Sequence, residues 1–319
     1  MNSAATPAWT SRVERGSVGA LRFAMALYRA LGRRPILILL RFISLYFLFT
    51  GGRMRRASRA YLERVAALPE AADVLARPPG WRDVQRHSHE FTLQIFDRVC
   101  LWAGELDRFR FVHRGAEALQ LLERYAESGR GAIFLGSHYG SFDMLRSFAG
   151  KFRLTVNVVM YTANAPVINE FFAKLSGESG LNVIAVEPDS PNASFEIRSC
   201  LERGEIVAIL ADRVGPVGDD RSVSVPFLGH LARLPRGPFE IALVLRCPVL
   251  AATGKRIDDA TYEVLVEPFY DGSAVPRADR ETAVQSLATA FAAHLERLCC
   301  EDPYQWFNFY HYWEGGEKT

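Results

Sequence analysis

Between Phe134 and Leu145 the chain reads FLGSHYGSFDML, placing an imidazole and a carboxylate, His138 and Asp143, five residues apart after a short apolar run. A neutral imidazole held by a carboxylate is a general base for an alcohol or an amine. On one continuous helix, residues five apart are turned by about 140° from each other, which would separate the two groups. Gly140 permits an unusual backbone and Ser141 suits a helix cap. The spacing therefore predicts His138 outside the helix and Asp143 in its first turn, with the carboxylate on one ring nitrogen. Amides at the helix start would then stabilise negative charge on an attacked carbonyl. Residue types alone leave a second reading, in which Asp143 serves only the helix dipole and His138 only packing. Ser141 as a nucleophile lacks its usual setting, because the chain contains no G-x-S-x-G elbow.

Such a pair needs rigid elements behind it. AIFLG (132–136), LTVNVVMY (154–161), NVIAV (182–186), IVAIL (206–210), PVLAAT (248–253) and TYEVLVEPF (261–269) read as strands. Helical patterns fill 141–150, 166–179, 192–203, 238–246 and 279–300. The alternation predicts an α/β fold with a mostly parallel central sheet flanked by helices. In such sheets chemistry lies just past the carboxyl ends of the strands. Two polar stops occupy those positions: SHYGSFD after 132–136, and ADR, with Asp212 and Arg213, after 206–210. Upstream, beyond the punctuation LARPPGW, two amphipathic helices are expected in HSHEFTLQIFDRVCLWAG and EALQLLERYAESGRG.

The first 64 residues hold twelve Arg, two acids and no Lys, a charge of +10 that leaves −8 on the rest of the chain. A basic arm on an acidic body suits docking on an anionic surface. Within the arm, the apolar run 36–49 spans ~21 Å as a helix, short of a ~30 Å hydrocarbon core, and carries Arg41 at its centre. We therefore expect a basic, apolar membrane-anchoring segment over 1–64 and a second domain over 65–319. The membrane surface would be met through residues 21–59, with Arg33, Arg34, Arg53, Arg55 and Arg56 on lipid phosphates. The alternative is a buried core helix with solvated ends. Without Lys or a reader motif in the arm, nucleic acid is not an expected partner. Five Cys and seven His show no metal-type spacing, so neither a metal nor a cofactor is expected, and the thiols read as reduced.

The H-x4-D pattern of His138 and Asp143 resembles the signature of the lysophospholipid acyltransferase superfamily. LADRVG (210–215), VPFLGHLARLPRGPFEIAL (225–243) and PYQWFNFYHYW (303–313) follow in an order similar to the bacterial lipid A late acyltransferases. FLG, LPRGP, CPV and WFNFY together are similar to the predicted acyltransferases found with aryl-polyene pigment pathways. The resemblance implies acyl transfer from an acyl carrier protein thioester to a lipid hydroxyl at the cytoplasmic face of the inner membrane. It makes His138 the base and Asp143 its orienting partner. Asp212, Arg213, Arg236, Gly237, Phe227 and Gly229 become substrate-binding candidates. Each has a plainer reading: a surface ion pair for Asp212 and Arg213, a turn for Arg236 and Gly237, core for Phe227 and Gly229. Trp306 to Phe309 would form a lipid-interface belt or, preferably, a cap on the core. One departure stands out. YTANAPVINEFF (161–172) lacks the Arg that lipid A acyltransferases tend to carry beside Asn-Pro, which puts a phosphorylated glucosamine acceptor in doubt. An acyl-thioester hydrolase and a non-enzymatic lipid- or carrier-binding module remain the rival readings.

Overall fold

The computed structural model describes residues 26–145, 154–161, 181–186, 192–215 and 221–313. The helix expected at 166–179, residues 146–150 of the one expected at 141–150, and the Asn164–Pro166 stretch lie outside these residues. Among the described residues seven strands form one sheet, β1(Arg110–Arg114), β2(Ala132–Gly136), β3(Val156–Tyr161), β4(Leu181–Val186), β5(Ile206–Leu210), β8(Val249–Arg256) and β9(Thr261–Tyr270). Their order is β1-β9-β8-β2-β5-β3-β4. All neighbours run parallel except β8 and β9, so the sheet is mostly parallel with a reversed margin at one edge. β6(Ser222–Phe227) and β7(His230–Pro235) make a separate antiparallel hairpin.

β2 is apolar throughout because both of its faces are covered. Ala132 and Phe134 pack with Leu250, Val264 and the helix α4(Ala116–Ser128). Ile133 and Leu135 face the opposite layer. That layer is built by α5(Asn192–Glu202), α6(Gly237–Leu245) and α7(Arg280–Glu301). The period of two along one strand thus divides two cores.

At the N-terminus, α1(Arg33–Thr50) and α2(Gly52–Ala66) meet at 96°, and α3(Trp81–Trp102) packs beneath α1. No single described helix is long and apolar enough to cross a membrane. α1 carries two apolar stripes. Ile36, Leu40, Ser44 and Leu48 are buried, while Ile38, Phe42, Tyr46 and Phe49 stand in solvent at spacings of four, four and three. The domain boundary expected after residue 64 falls within α2, whose Tyr61, Leu62 and Val65 join the main core. Arg33, expected on lipid phosphates, donates instead to buried Asp97 at 2.9 Å. That carboxylate also accepts from the Tyr262 hydroxyl at 2.8 Å.

The β6–β7 hairpin was not among the expected elements. Its loop has two residues, Leu228 (φ 50°) and Gly229 (φ +73°), the pairing of positive angles that suits strand twist across a tight hairpin. Glu296 of α7 accepts the Leu228 amide and ties the turn down.

Gly140 fixes the course of the chain after β2. Its φ is +64°, and a Cβ there would meet the Gly254 carbonyl oxygen at 2.2 Å. Gly140→Ala should therefore destabilise the fold by about 2 kcal/mol or more, read as a lower urea midpoint at unchanged slope. A midpoint equal to wild type would contradict this account of the turn.

Candidate active site

Parallel pairing of β2 with β5 sets Gly136 opposite Leu210, and the Ala211 amide extends the ladder by donating to the Gly136 carbonyl at 2.9 Å. Two residues past each partner stand His138 and Asp212. The two polar stops are thus one site at the carboxyl end of the sheet, where α/β folds place chemistry.

His138 Nδ1 is 2.8 Å from Asp212 Oδ1, and the His138 backbone amide donates to Oδ2 at 3.0 Å. Oδ2 also accepts the Trp306 indole N–H at 3.0 Å. Asp212 and Trp306 are both fully buried. Burial alone would raise the Asp212 pKa, but His138, Arg213 and the His138 amide overcome it and hold the carboxyl at about 2. A carboxylate can only accept, so Nδ1 carries the ring proton and Nε2 keeps its lone pair. Burial, helped by the Arg213 charge, holds the imidazole below its usual value against the opposing pull of Asp212. It is therefore neutral at pH 7, and its side chain is still 30% exposed.

The orienting carboxylate is Asp212, where the spacing suggested Asp143. After Gly140 the chain winds into a single 3-10 turn over Phe142–Leu145, and Asp143 forms an ion pair with Arg98 of α3, Oδ2 to Nε 2.6 Å. Five residues of sequence lead Asp143 to a neighbouring helix, while the ladder register brings a carboxylate from 74 positions away. The cap expected of Ser141 is likewise not made, since its hydroxyl is buried without a hydrogen-bond partner. The backbone amides of the turn are taken. Tyr139 N–H donates to Ser137 Oγ (3.3 Å), Gly140 N–H to the Gln305 carbonyl (2.8 Å) and Ser141 N–H to the Gly254 carbonyl (2.7 Å). With His138 N–H on Asp212, none of these four amides is left for an attacked carbonyl.

The aromatic C-terminal segment is the third wall. Phe307 N–H donates to the His138 carbonyl at 2.9 Å, and Arg213 Nη2 donates to the Phe307 carbonyl at 2.6 Å. The Arg213 guanidinium lies 5.4 Å from the centre of the Tyr310 ring, and the Tyr312 hydroxyl donates to the Asp212 carbonyl at 2.7 Å. Trp306, Phe307, Asn308 and Phe309 are all buried, so this segment caps the core. Behind it, buried His87 reaches the Trp306 carbonyl through Nε2 (2.9 Å) and Ser58 through Nδ1 (2.8 Å). Burial lowers the His87 pKa to about 4, so it stays neutral.

Of the other expected site residues, Phe227 packs edge-on against Trp306 at 5.2 Å and is core. Gly229 lies in the exposed hairpin turn beside it. Arg236 and Gly237 do not join the site. β7 carries them roughly 20 Å from that turn, at ~3.3 Å per residue. There Arg236 is gripped by Glu281 at 2.5 Å and Glu240 at 3.0 Å, while Gly237 opens α6. Sequence reasoning missed Trp306 as a carboxylate donor and Arg98 as the partner of Asp143. Arg98 left a trace: it follows Phe91 and Ile95 on one helical face, a lone charge on an apolar stripe.

The model of the bacterial lipid A biosynthesis acyltransferase family matches residues 98–314. That span exceeds half the chain and contains both polar stops, the hairpin and the aromatic segment. The chain belongs to this family. A search of curated proteins gives no match. Family membership makes the protein an acyltransferase with a lipid acceptor, and the pair at the strand ends is its candidate catalytic centre.

Asp212→Asn should lower kcat by about 10³-fold or more, because a carboxamide can turn its N–H₂ toward Nδ1 and favour the wrong tautomer. Asp143→Asn should cost less and leave the pH profile in place. For wild type, activity should be level around neutrality and fall on an acid limb below 6.5, where His138 takes its proton. Steady-state rates of the three proteins between pH 4 and 9 check this (roughly the span over which the neutral base gains or loses its proton). An acid limb that moves in Asp143→Asn alone would reverse the two roles.

Proposed function

We propose that the protein transfers a fatty or polyenoic acyl chain from an acyl carrier protein thioester to a lipid hydroxyl, with His138 as general base and no covalent intermediate. The observation that carries the mechanism is the neutral imidazole, fixed through Nδ1 by Asp212 with Nε2 unengaged among the described residues. Nε2 takes the hydroxyl proton as the acceptor oxygen bonds to the thioester carbonyl carbon. The carbon–sulfur bond then breaks, and the imidazolium returns the proton to the departing thiolate. Asp212 stabilises the imidazolium between these steps. Asp143 holds Arg98, and Arg213 lends positive charge near the base.

The acyl carrier protein as donor is inferred from the resemblance of the four ordered sequence blocks to lipid A late acyltransferases. The polyenoic option comes from their similarity to aryl-polyene-associated enzymes. A lipid A precursor is the alternative acceptor. Association with the cytoplasmic face of the inner membrane is supported by the exposed Ile38, Phe42, Tyr46 and Phe49 stripe beside exposed Arg34, Arg41, Arg53 and Arg56.

Purified protein in detergent, given dodecanoyl, tetradecanoyl or hexadecanoyl carrier-protein thioesters with a Gram-negative lipid extract, tests the reading. We expect thiol release together with acyl label in lipid, both lost in His138→Ala. Thiol release that needs no extract would make the protein a hydrolase. Unaltered donor in every mixture would leave a binding module, and full turnover in His138→Ala would remove the base.

A further inference from the structure

Away from the catalytic centre, a cavity of about 580 Å³ opens at the amino ends of β2 and β8. Gly131, just before β2, and Pro248, just before β8, both line it. His138 follows the opposite end of β2, so a strand length of roughly 17 Å lies between the two places. Three arginines line the cavity, Arg130, Arg198 and Arg246, against one acid, Glu202. Arg198 and Glu202 bond each other at 2.7 Å. The side chains of Arg130 and Arg246 have neither a hydrogen bond nor an ion pair among the described residues. Asp271 lies near Arg130, yet its carboxylate accepts from the Ser273 amide at 2.8 Å and not from the guanidinium.

Both arginines are held in place. The Arg130 guanidinium lies 5.7 Å from the centre of the Tyr125 ring. A Cβ at Gly272 would stand 2.7 Å from the Arg246 carbonyl oxygen and 3.0 Å from Arg130 Nη2. The tip of Arg130 therefore lies against the turn that carries Arg246. Arg246 closes α6 with left-handed angles (φ 50°, ψ 42°), at the helix-end position that glycine commonly fills. A long cationic side chain is thus kept where glycine would fold with less strain, which points to a use for it. Helices α4, α5 and α6 all end here, and the carboxyl ends of helices favour cations. That need accounts for positive charge in the region. It does not account for two unpaired guanidiniums around a cavity whose other walls are Leu201, Val244, Leu245 and Pro248.

We propose that this cavity binds an amphipathic oxyanion, its carboxylate or phosphate head held between Arg130 and Arg246 and its alkyl body laid on Leu201, Val244 and Pro248. Guanidinium forks match such heads in bidentate geometry. An apolar wall with a few converging polar groups is the usual form of a small-molecule site. Binding is non-covalent, because burial pushes the Cys247 thiol in the cavity up to about 12 and keeps it protonated.

Calorimetric titration of the full chain in detergent with octanoate and with octyl phosphate tests this. Both should bind, inorganic phosphate should bind more weakly, and octanol should not bind. The tighter of the two amphiphiles tells a carboxylate source from a phosphate source. Arg130→Gln and Arg246→Gly should each raise Kd about tenfold or more, the loss of one charge-assisted pair. Arg246→Gly should keep or raise Tm, and turnover in both variants should match wild type, since neither residue belongs to the catalytic centre. If Arg246→Gly does not fold, Arg130→Gln decides alone. An unchanged Kd in the folded variants would place the anion elsewhere and overturn the proposal. So would no binding of either amphiphile to wild type, which would leave the two arginines as partners of the helix ends only.

Discussion

The contact on which the site depends is the one between His138 Nδ1 and a carboxylate with no exposure to water, Asp212. A buried carboxylate resists ionisation unless donors surround it. Asp212 has three: the imidazole, the His138 amide and the Trp306 indole. Each comes from an element with its own reason to be there. The first two follow from the parallel register of β2 and β5, the third from the C-terminal segment folding back over the strand ends. The charge is thus held by regular strands and a buried segment, and the imidazole it orients is fixed with it.

The same arrangement explains why residues 303–309 are buried. Trp306 donates to the carboxylate, the Phe307 amide donates to the His138 carbonyl, and the Tyr312 hydroxyl donates to the carbonyl of Asp212. The chain end closes the centre and anchors on helix α3 through His87, while Ser58 of α2 holds the far side of that histidine. Helix α2 is therefore joined to the aromatic wall through the buried Ser58–His87 and His87–Trp306 hydrogen bonds, while the outer stripe of α1 is left to solvent. The exposed stripe of α1 and the candidate site are thus linked through α3, which packs on α1 and bonds the Trp306 carbonyl through His87.

Much of the sheet was legible in the amino-acid pattern because fully buried strands are unbroken apolar runs: β2 and β5 appear at 132–136 and 206–210 as read. Both polar stops were legible for the same reason, as the first hydrophilic residues after such runs. What the pattern did not reveal was which carboxylate meets the imidazole. Asp143 is near in sequence, but a left-handed glycine and a tight 3-10 turn direct it to Arg98. Asp212 is far in sequence yet adjacent through strand register, which no local pattern encodes. β1 escaped notice because its charged alternation, Arg110 to Arg114, marks an exposed edge. The β6–β7 hairpin escaped because its turn residues are Leu-Gly rather than the usual Asn-Gly. The paired stripes of α1 are another case, since an apolar run does not say which of its residues find a partner.

The central claim, that Asp212 fixes His138 as a neutral base with its lone pair on Nε2, is open to direct observation by 15N NMR of the histidine side chains, with His138 assigned by its substitution. The account predicts the Nδ1–H tautomer at neutral pH, protonation only below 6.5, and loss of that tautomer in Asp212→Asn but not in Asp143→Asn. An Nε2–H tautomer, a charged ring at pH 7, or a signal that responds to Asp143 and ignores Asp212 would contradict it.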